Sequence, residues 1–211
     1  MIYNNLTASL RFHLIQTWFK VLFIGFAAAL AGCTSLPDMD ESGQHRLPST
    51  KQQLSKWRVS GKILLSTPEE KHSGYFYWQQ DGDKFKFAVN SFIGTNILTL
   101  EKKADHAQLE YDGKEFQDLT ASALLYRLTG NYVPVNEFKY WLLGIDRYTS
   151  KATAKSPVAK DFTYQDNQEN EWQVKYAKSK VNKGFNVPGQ MTIMGQQTKI
   201  KMSLSDWGFI Q

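Results

Sequence analysis

The chain has 211 residues, one cysteine, four histidines and a formal net charge of +5, with 42% hydrophobic and 14% aromatic residues. That length fits one ordinary domain with a real core. So mild a charge is not the footprint of a nucleic-acid binder, a lone cysteine permits no internal disulfide, and four histidines leave little for metal ligation.

In chain order, Arg11 and Lys20 supply a positive region and Val21 to Ala31 an apolar run. The run is too short for a spanning helix, which needs about 20 residues, but it suits the apolar region of an export signal. It leads into Leu30-Ala31-Gly32-Cys33, small residues before the lone cysteine, as a lipoprotein peptidase requires. The alternative is a short membrane anchor preceding an unreactive cysteine. On the lipoprotein reading, residues 1–32 are a cleaved signal peptide and Cys33 becomes the acylated N-terminus. Covalent diacylglyceryl and fatty acyl groups on Cys33 are then the lipid the protein carries, with no other cofactor and no metal. Residues 33–50 form the lipidated N-terminus and a flexible tether, and residues 51–211 the folded domain. The tether holds Pro37, Gly43 and Pro48 and almost nothing apolar, so burial cannot offset its ordering entropy. Losing Arg11 and Lys20, with no acidic residue beside them, lowers the net charge to +3.

Ser49 or Thr50 is placed to cap a short helix through Trp57, with Leu54 and Trp57 on one face. Alternating segments follow. Val59, Gly61, Ile63 and Leu65 share one face; Tyr75 to Trp78 is aromatic on both faces; Phe85, Phe87 and Val89 alternate with Lys84, Lys86 and Ala88. Leu98 and Leu100, then Leu109 and Tyr111, continue the period of two. Asp81-Gly82-Asp83 and Asp112-Gly113 are hairpin signals, so a meandering antiparallel sheet is predicted. The period then changes. Ala121, Leu124, Leu125 and Leu128 make one helical face behind a Thr120 cap, with Gly130 as the stop. A second helix is predicted from Pro134, presenting Phe138, Trp141, Leu142 and Ile145, with Gly144 near its end. The strand period returns at Trp172, Val174 and Tyr176, more loosely at Met191 and Ile193, and again at Ile200, Met202 and Leu204. Strands, two helices, then strands imply a mainly β fold: one curved sheet with helices across one side or mouth.

No metal-ligand spacing, phosphate loop or nucleophile elbow is present, so no catalytic residue is nominated and the expectation is a protein that is not an enzyme. A glycosidase-type carboxylate pair is the enzymatic alternative, since such pairs have no local signature. The folded part does carry Trp57, Trp78, Trp141, Trp172 and Trp207 on predicted elements. They are either ordinary core or the lining of a hydrophobic cavity. Lipid chains suit such a cavity: at about 0.8 kcal/mol per methylene, a long acyl chain left in water costs on the order of 12 kcal/mol. Asn90-Ser91-Phe92-Ile93-Gly94 is turn-like in composition yet puts two large apolar residues at its tip. Either they tuck onto the core, or they form an exposed finger that touches a membrane or a partner.

Leu-Ala-Gly-Cys (30–33), Tyr-Phe-Tyr-Trp-Gln-Gln (75–80), Ser-Phe-Ile-Gly (91–94), Leu-Thr-Gly (128–130), Pro-Val-Asn (134–136), Trp-Leu-Leu-Gly (141–144) and Asp-Trp (206–207) together resemble the LolB family. Its members are outer-membrane lipoprotein receptors of the lipoprotein-localisation pathway in Gram-negative bacteria. The resemblance implies a half-open, unclosed antiparallel β-barrel of roughly eleven strands, with a few α-helices as a lid over a hydrophobic cavity. It implies a monomer that accepts triacylated lipoprotein cargo from the periplasmic carrier LolA. Cargo is then released into the inner leaflet of the outer membrane, without nucleotide hydrolysis. Thr34 after the cysteine, where lipoproteins of this kind use Asp for inner-membrane retention, implies delivery to the outer membrane, facing the periplasm. The membrane-insertion loop maps to Phe92, Ile93 and Gly94; Ile93 stands where the family has an exposed leucine, and Phe92 where it has proline. The acyl-chain cavity is expected to draw on Phe76, Trp78, Phe87, Leu98, Leu100, Trp141, Leu142, Trp172 and Trp207. The alternative functions are an outer-membrane-anchored binder of fatty acids or other small hydrophobic ligands, and a purely structural outer-membrane lipoprotein, which a cavity packed with side chains would favour.

Overall fold

The structure, a computed structural model, describes residues 49–147 and 152–210. Cys33, the signal peptide 1–32 and the tether up to residue 48 lie outside the described residues. Arg46–Gln211 forms one compact unit with its own apolar core.

Ten strands make a single antiparallel sheet: β1 (Lys56–Ser66), β2 (Lys71–Asp81), β3 (Lys84–Asn90), β4 (Asn96–Lys102), β5 (Ala107–Tyr111), β6 (Lys114–Asp118), β7 (Phe162–Gln165), β8 (Glu171–Asn182), β9 (Phe185–Gly195) and β10 (Thr198–Phe209). Their order is β6-β5-β4-β3-β2-β1-β10-β9-β8-β7, so the first and last strands pair in the middle and β6 and β7 are free edges. The sheet is therefore unclosed. Sequence alternation sets its faces, because a period of two sends every second side chain inward. One inward row reads Trp207–Val59–Trp78–Phe87–Leu100–Leu109–Phe116 from β10 across to β6, apolar at every step. A second runs Leu65–Ile200–Ile193–Val174–Phe162 across the other half.

The described part of the connection between β6 and β7 packs on the inward face of the sheet. Its first helix, α1 (Ala121–Thr129), starts where Thr120 Oγ1 accepts a hydrogen bond from the Ala123 amide. It ends at Gly130, whose φ of +70° is the left-handed cap conformation that glycine adopts without penalty. The second helix is shorter than its apolar spacing predicts: a 3-10 turn, Val135–Glu137, precedes α2 (Phe138–Leu142). Phe138, Trp141 and Leu142 are nonetheless buried, as the pattern requires. The predicted helix from Ser49 or Thr50 through Trp57 is a correction. Only Lys51–Gln53 forms a 3-10 turn, Thr50 makes no side-chain cap, and Trp57 belongs to β1. The hydrogen bonds of Trp57 go instead to neighbouring strands, where it pairs with Phe209 and Gln80. β7, an edge strand of four residues, has no counterpart among the predicted strands.

The registers fix two ends. The turns 67–70, 91–95, 112–113 and 196–197 lie at one end; the turns 82–83 and 183–184 and the start of β1 lie at the other.

Candidate functional site

The turn between β3 and β4 is closed by its own backbone. Ser91 N–H donates to the Thr95 carbonyl at 2.8 Å and Gly94 N–H to the Ser91 carbonyl at 3.0 Å, while Thr95 N–H donates to Ser91 Oγ at 3.1 Å. Gly94 sits at φ +88°, a conformation that disfavours any residue with a Cβ. With both strands leaving the turn in register, Phe92 and Ile93 have no route back to the core. Ile93 is 91% exposed and Phe92 57% exposed. The Phe92 ring packs edge-on against Tyr75, centroids 5.4 Å apart, so Tyr75 props the turn and Ile93 forms the tip. Tyr75, Ile97 and Tyr111 are also exposed near this end of β2, β4 and β5.

The nine residues nominated for an acyl-chain cavity come together, and they do so packed. Phe76, Trp78, Phe87, Leu100, Trp141, Leu142, Trp172 and Trp207 are buried in one cluster, with Leu98 half-buried against it. A chain of rings crosses the concave side: Phe85–Trp78 at 4.5 Å, Trp78–Phe138 at 6.2 Å, Phe138–Trp141 at 5.5 Å, Trp141–Phe162 at 6.4 Å and Phe162–Tyr176 at 6.4 Å. The helical segment thus fills the face between β3 and β8 with its own side chains. Trp207 also lines a cleft of about 260 Å³ with Arg58 and Tyr77.

Two polar contacts hold α2 down. Tyr176 Oη on β8 donates to the Trp141 carbonyl at 2.8 Å, and Lys139 Nζ donates to Asp83 Oδ1 in the β2–β3 turn at 2.6 Å. Burial, with Asp146 and Asp161 adding to it, pushes the Tyr176 phenol far above its ordinary value, so it stays a donor. The Lys139 bond holds the Asp83 carboxyl below its usual range. Burial is the largest single influence on Lys139 and opposes its charge, but Asp83 and Tyr140 together outweigh it and the ammonium stays above its ordinary value. Beside them Glu137 accepts from Arg147 at 2.8 Å, and burial nevertheless raises its carboxyl. On β8, Trp172 Nε1 donates to Asp166, which also accepts from the Gln168 and Asn170 amides. Burial would raise the Asp166 carboxyl; these bonds outweigh it and lower it, fixing the ring of Trp172.

Sequence reasoning did not single out Tyr75, Tyr176 or Lys51. The aromatic run 75–78 carried a signal for the first, whereas the other two depend on tertiary contacts that have no local pattern. Among the described residues no group of three His, Cys, Asp or Glu side chains is arranged to hold a metal ion.

A family model described as outer membrane lipoprotein LolB matches residues 55–207. The outer-membrane lipoprotein LolB of Pseudoalteromonas translucida is 35% identical over 198 residues, covering 93% of this chain and 96% of that one. Its counterpart in Aeromonas hydrophila is 30% identical over 190 residues, covering 89% and 95%. Among solved structures, a LolA superfamily protein from Nitrosomonas europaea aligns with a TM-score of 0.49 at 10% identity, over 75% of this chain and 88% of that one.

Proposed function

We propose a mechanism from the premise that this chain belongs to the LolB family of outer-membrane lipoproteins. Its function is that of an outer-membrane lipoprotein receptor in lipoprotein localisation. The finer steps are our reading. Cys33, acylated after removal of residues 1–32, anchors the domain to the inner leaflet, facing the periplasm. The domain accepts triacylated cargo from LolA, shelters the acyl chains, and passes them to the bilayer with no nucleotide consumed.

The observation that carries this reading is the separation of two apolar surfaces, one buried under a lid and one fully out in solvent. The inward rows offer an apolar face whose cover, the segment 121–145, is held by a few polar contacts at α2. Cargo chains entering there take over the contacts that Phe138, Trp141 and Leu142 make, and each methylene removed from water contributes about 0.8 kcal/mol. Exchange of one apolar partner for another needs no external energy source. Phe76, Trp78, Phe87, Leu98, Leu100, Trp141, Leu142, Trp172 and Trp207 are the residues we assign to this exchange. The exposed Ile93, propped by Phe92 on Tyr75, is suited to enter the acyl region of the bilayer and open a path for the cargo.

The test is transfer of a labelled triacylated lipoprotein from loaded LolA to the soluble 34–211 domain, with Ile93→Asp in parallel. Both forms are expected to accept cargo, and only Ile93→Asp to fail at delivery into vesicles. No acceptance by the unsubstituted domain would overturn the receptor mechanism in favour of a small-ligand binder.

A further inference from the structure

At the end of the sheet opposite the Phe92–Ile93 turn lies a cleft of about 240 Å³, walled by Leu54, Trp57 and Tyr140 and bearing Lys51, Lys139 and Asp83. Its charges do not balance. Lys139 is bonded to Asp83, and its ammonium also lies 5.1 Å from the Tyr140 ring centroid. Lys51, by contrast, is fully buried, and its Nζ has no hydrogen-bond partner among the described residues. Gln80, the polar neighbour on β2, is committed elsewhere: it accepts from Trp78 Nε1 and donates to the Gly82 and Lys84 carbonyls. A buried cation without a partner is strongly unfavourable. The Lys51 ammonium is accordingly pushed down to about 8 by burial. Lys51 is held there by its backbone, since its amide donates to the Ala152 carbonyl and its carbonyl accepts from Leu54.

We propose that this cleft is an oxyanion subsite that takes the phosphodiester of a membrane phospholipid, with Lys51 as its charge partner. One uncompensated positive charge asks for one negative charge. The apolar wall asks for a substituent that is not fully hydrated, which a phospholipid headgroup with its glycerol backbone supplies and a hydrated inorganic ion does not. Lys51 is separated from Cys33 by the 17 residues 34–50, so this end of the domain can reach the bilayer when the Phe92–Ile93 turn at the other end is not inserted in it. The site uses neither the finger nor the concave rows, so it stands or falls independently of cargo transfer.

The test uses the 34–211 domain, whose core lies wholly within the compact unit. Thermal unfolding is followed while a short-chain phosphatidylglycerol, kept below its critical micelle concentration, is titrated in at constant ionic strength; inorganic phosphate and a short-chain neutral glyceride serve as separate arms. The lipid is expected to give a saturable rise in Tm, at concentrations ~10-fold below those at which phosphate acts, with no rise from the glyceride. Lys51→Met keeps the side-chain length, removes the charge and is expected to abolish the rise. As a second readout, the Lys51 Cε resonance should titrate near pH 8 in the free domain and shift to higher pH on adding lipid, since a nearby anion favours the ammonium. A response to phosphate alone would keep the oxyanion site and overturn the lipid as its source. No saturable rise with either, or the same rise in Lys51→Met, would overturn the site.

Discussion

Two connections in this fold carry large apolar side chains, and they treat them in opposite ways. The turn Ser91–Thr95 spans one pair of adjacent strands, closes on its own hydrogen bonds and leaves Phe92 and Ile93 in solvent. The segment Val133–Ile145 belongs to the long crossing between the two edge strands and buries Val133, Val135, Phe138, Trp141, Leu142, Leu143 and Ile145. Hydrophobicity alone does not separate them; connectivity does. A turn bound by adjacent strands cannot fold back onto the sheet it joins, while a chain that must cross the concave face has the whole apolar row beneath it. In the first, apolar surface is displayed at a cost in solvation that only function explains. In the second it supplies the core.

Substitutions sharpen that contrast, and the largest effects belong to the crossing segment. Trp141→Ala removes a ring that contacts Phe138, Phe162 and Tyr164, and should destabilise the domain by about 3–5 kcal/mol in denaturant titration. A loss below about 1 kcal/mol would mean that the segment is not packed in solution.

Next comes the buried amine that the same segment helps to wall off. Lys51 falls from 10.5 to about 8 on folding, so below pH 8 both states hold the proton and the full penalty applies. Between about 8 and 10 the unfolded chain binds more protons than the folded one, and stability should rise with pH. Above the ordinary tyrosine value of 10.0, Tyr176 works in the opposite direction, because its buried phenol resists ionisation that the unfolded chain permits. Lys51→Met should flatten the rise and raise stability at neutral pH by about 1–2 kcal/mol, because solvent at the cleft mouth screens part of the penalty. An unchanged pH profile would show that the amine is not confined.

Tyr176→Phe is smaller. It leaves the Trp141 carbonyl without the hydroxyl that bonds to it at 2.8 Å, and should cost about 1 kcal/mol. Amide exchange in Phe138–Leu142 should quicken while β1 and β10 stay protected. Uniform quickening across the sheet would instead mean that the hydroxyl stabilises the whole domain and not the lid in particular.

The elements legible in the sequence are those whose local chemistry and tertiary environment agree. Asp112-Gly113 reads as a two-residue hairpin, and both residues take positive φ, 52° and 68°. Gln196-Gln197 makes the same kind of turn at 47° and 63° with no glycine at either central position. In β9 Met191 and Ile193 do alternate inward, and the irregularity falls earlier, near the pairing of Ser179 with Pro188, which cannot donate to the ladder. The α1 cap and stop were legible for the same reason as the first hairpin: Thr120 and Gly130 are what a helix end requires. Lys51 was not, because a lysine next to a polar tether reads as solvated surface. Its backbone is fixed by the Ala152 carbonyl, and the cleft it lines includes Asp83, Lys139 and Tyr140, all distant in sequence. Composition marks the apolar pair at 92 and 93, but its exposure depends on the backbone closure of the turn, which composition does not encode.

That closure makes Ile93→Asp the smallest stability effect and the sharpest test of the comparison. Ile93 is 91% exposed, so a charged side chain there loses almost no packing, and the change in stability should stay within about 0.5 kcal/mol. Phe92→Ser should lose somewhat more, because the ring contacts Tyr75. In vesicle co-sedimentation the order should reverse the usual link between stability and function: Ile93→Asp, nearly neutral for folding, should lose the share of membrane association that the tip supplies, since a carboxylate there must be desolvated to enter the bilayer. Trp141→Ala should retain association for whatever fraction remains folded. If Ile93→Asp binds vesicles as well as the unsubstituted domain, then the turn displays its apolar side chains to a protein partner and not to lipid, and the division between a displayed and a sheltered apolar surface would need a different purpose.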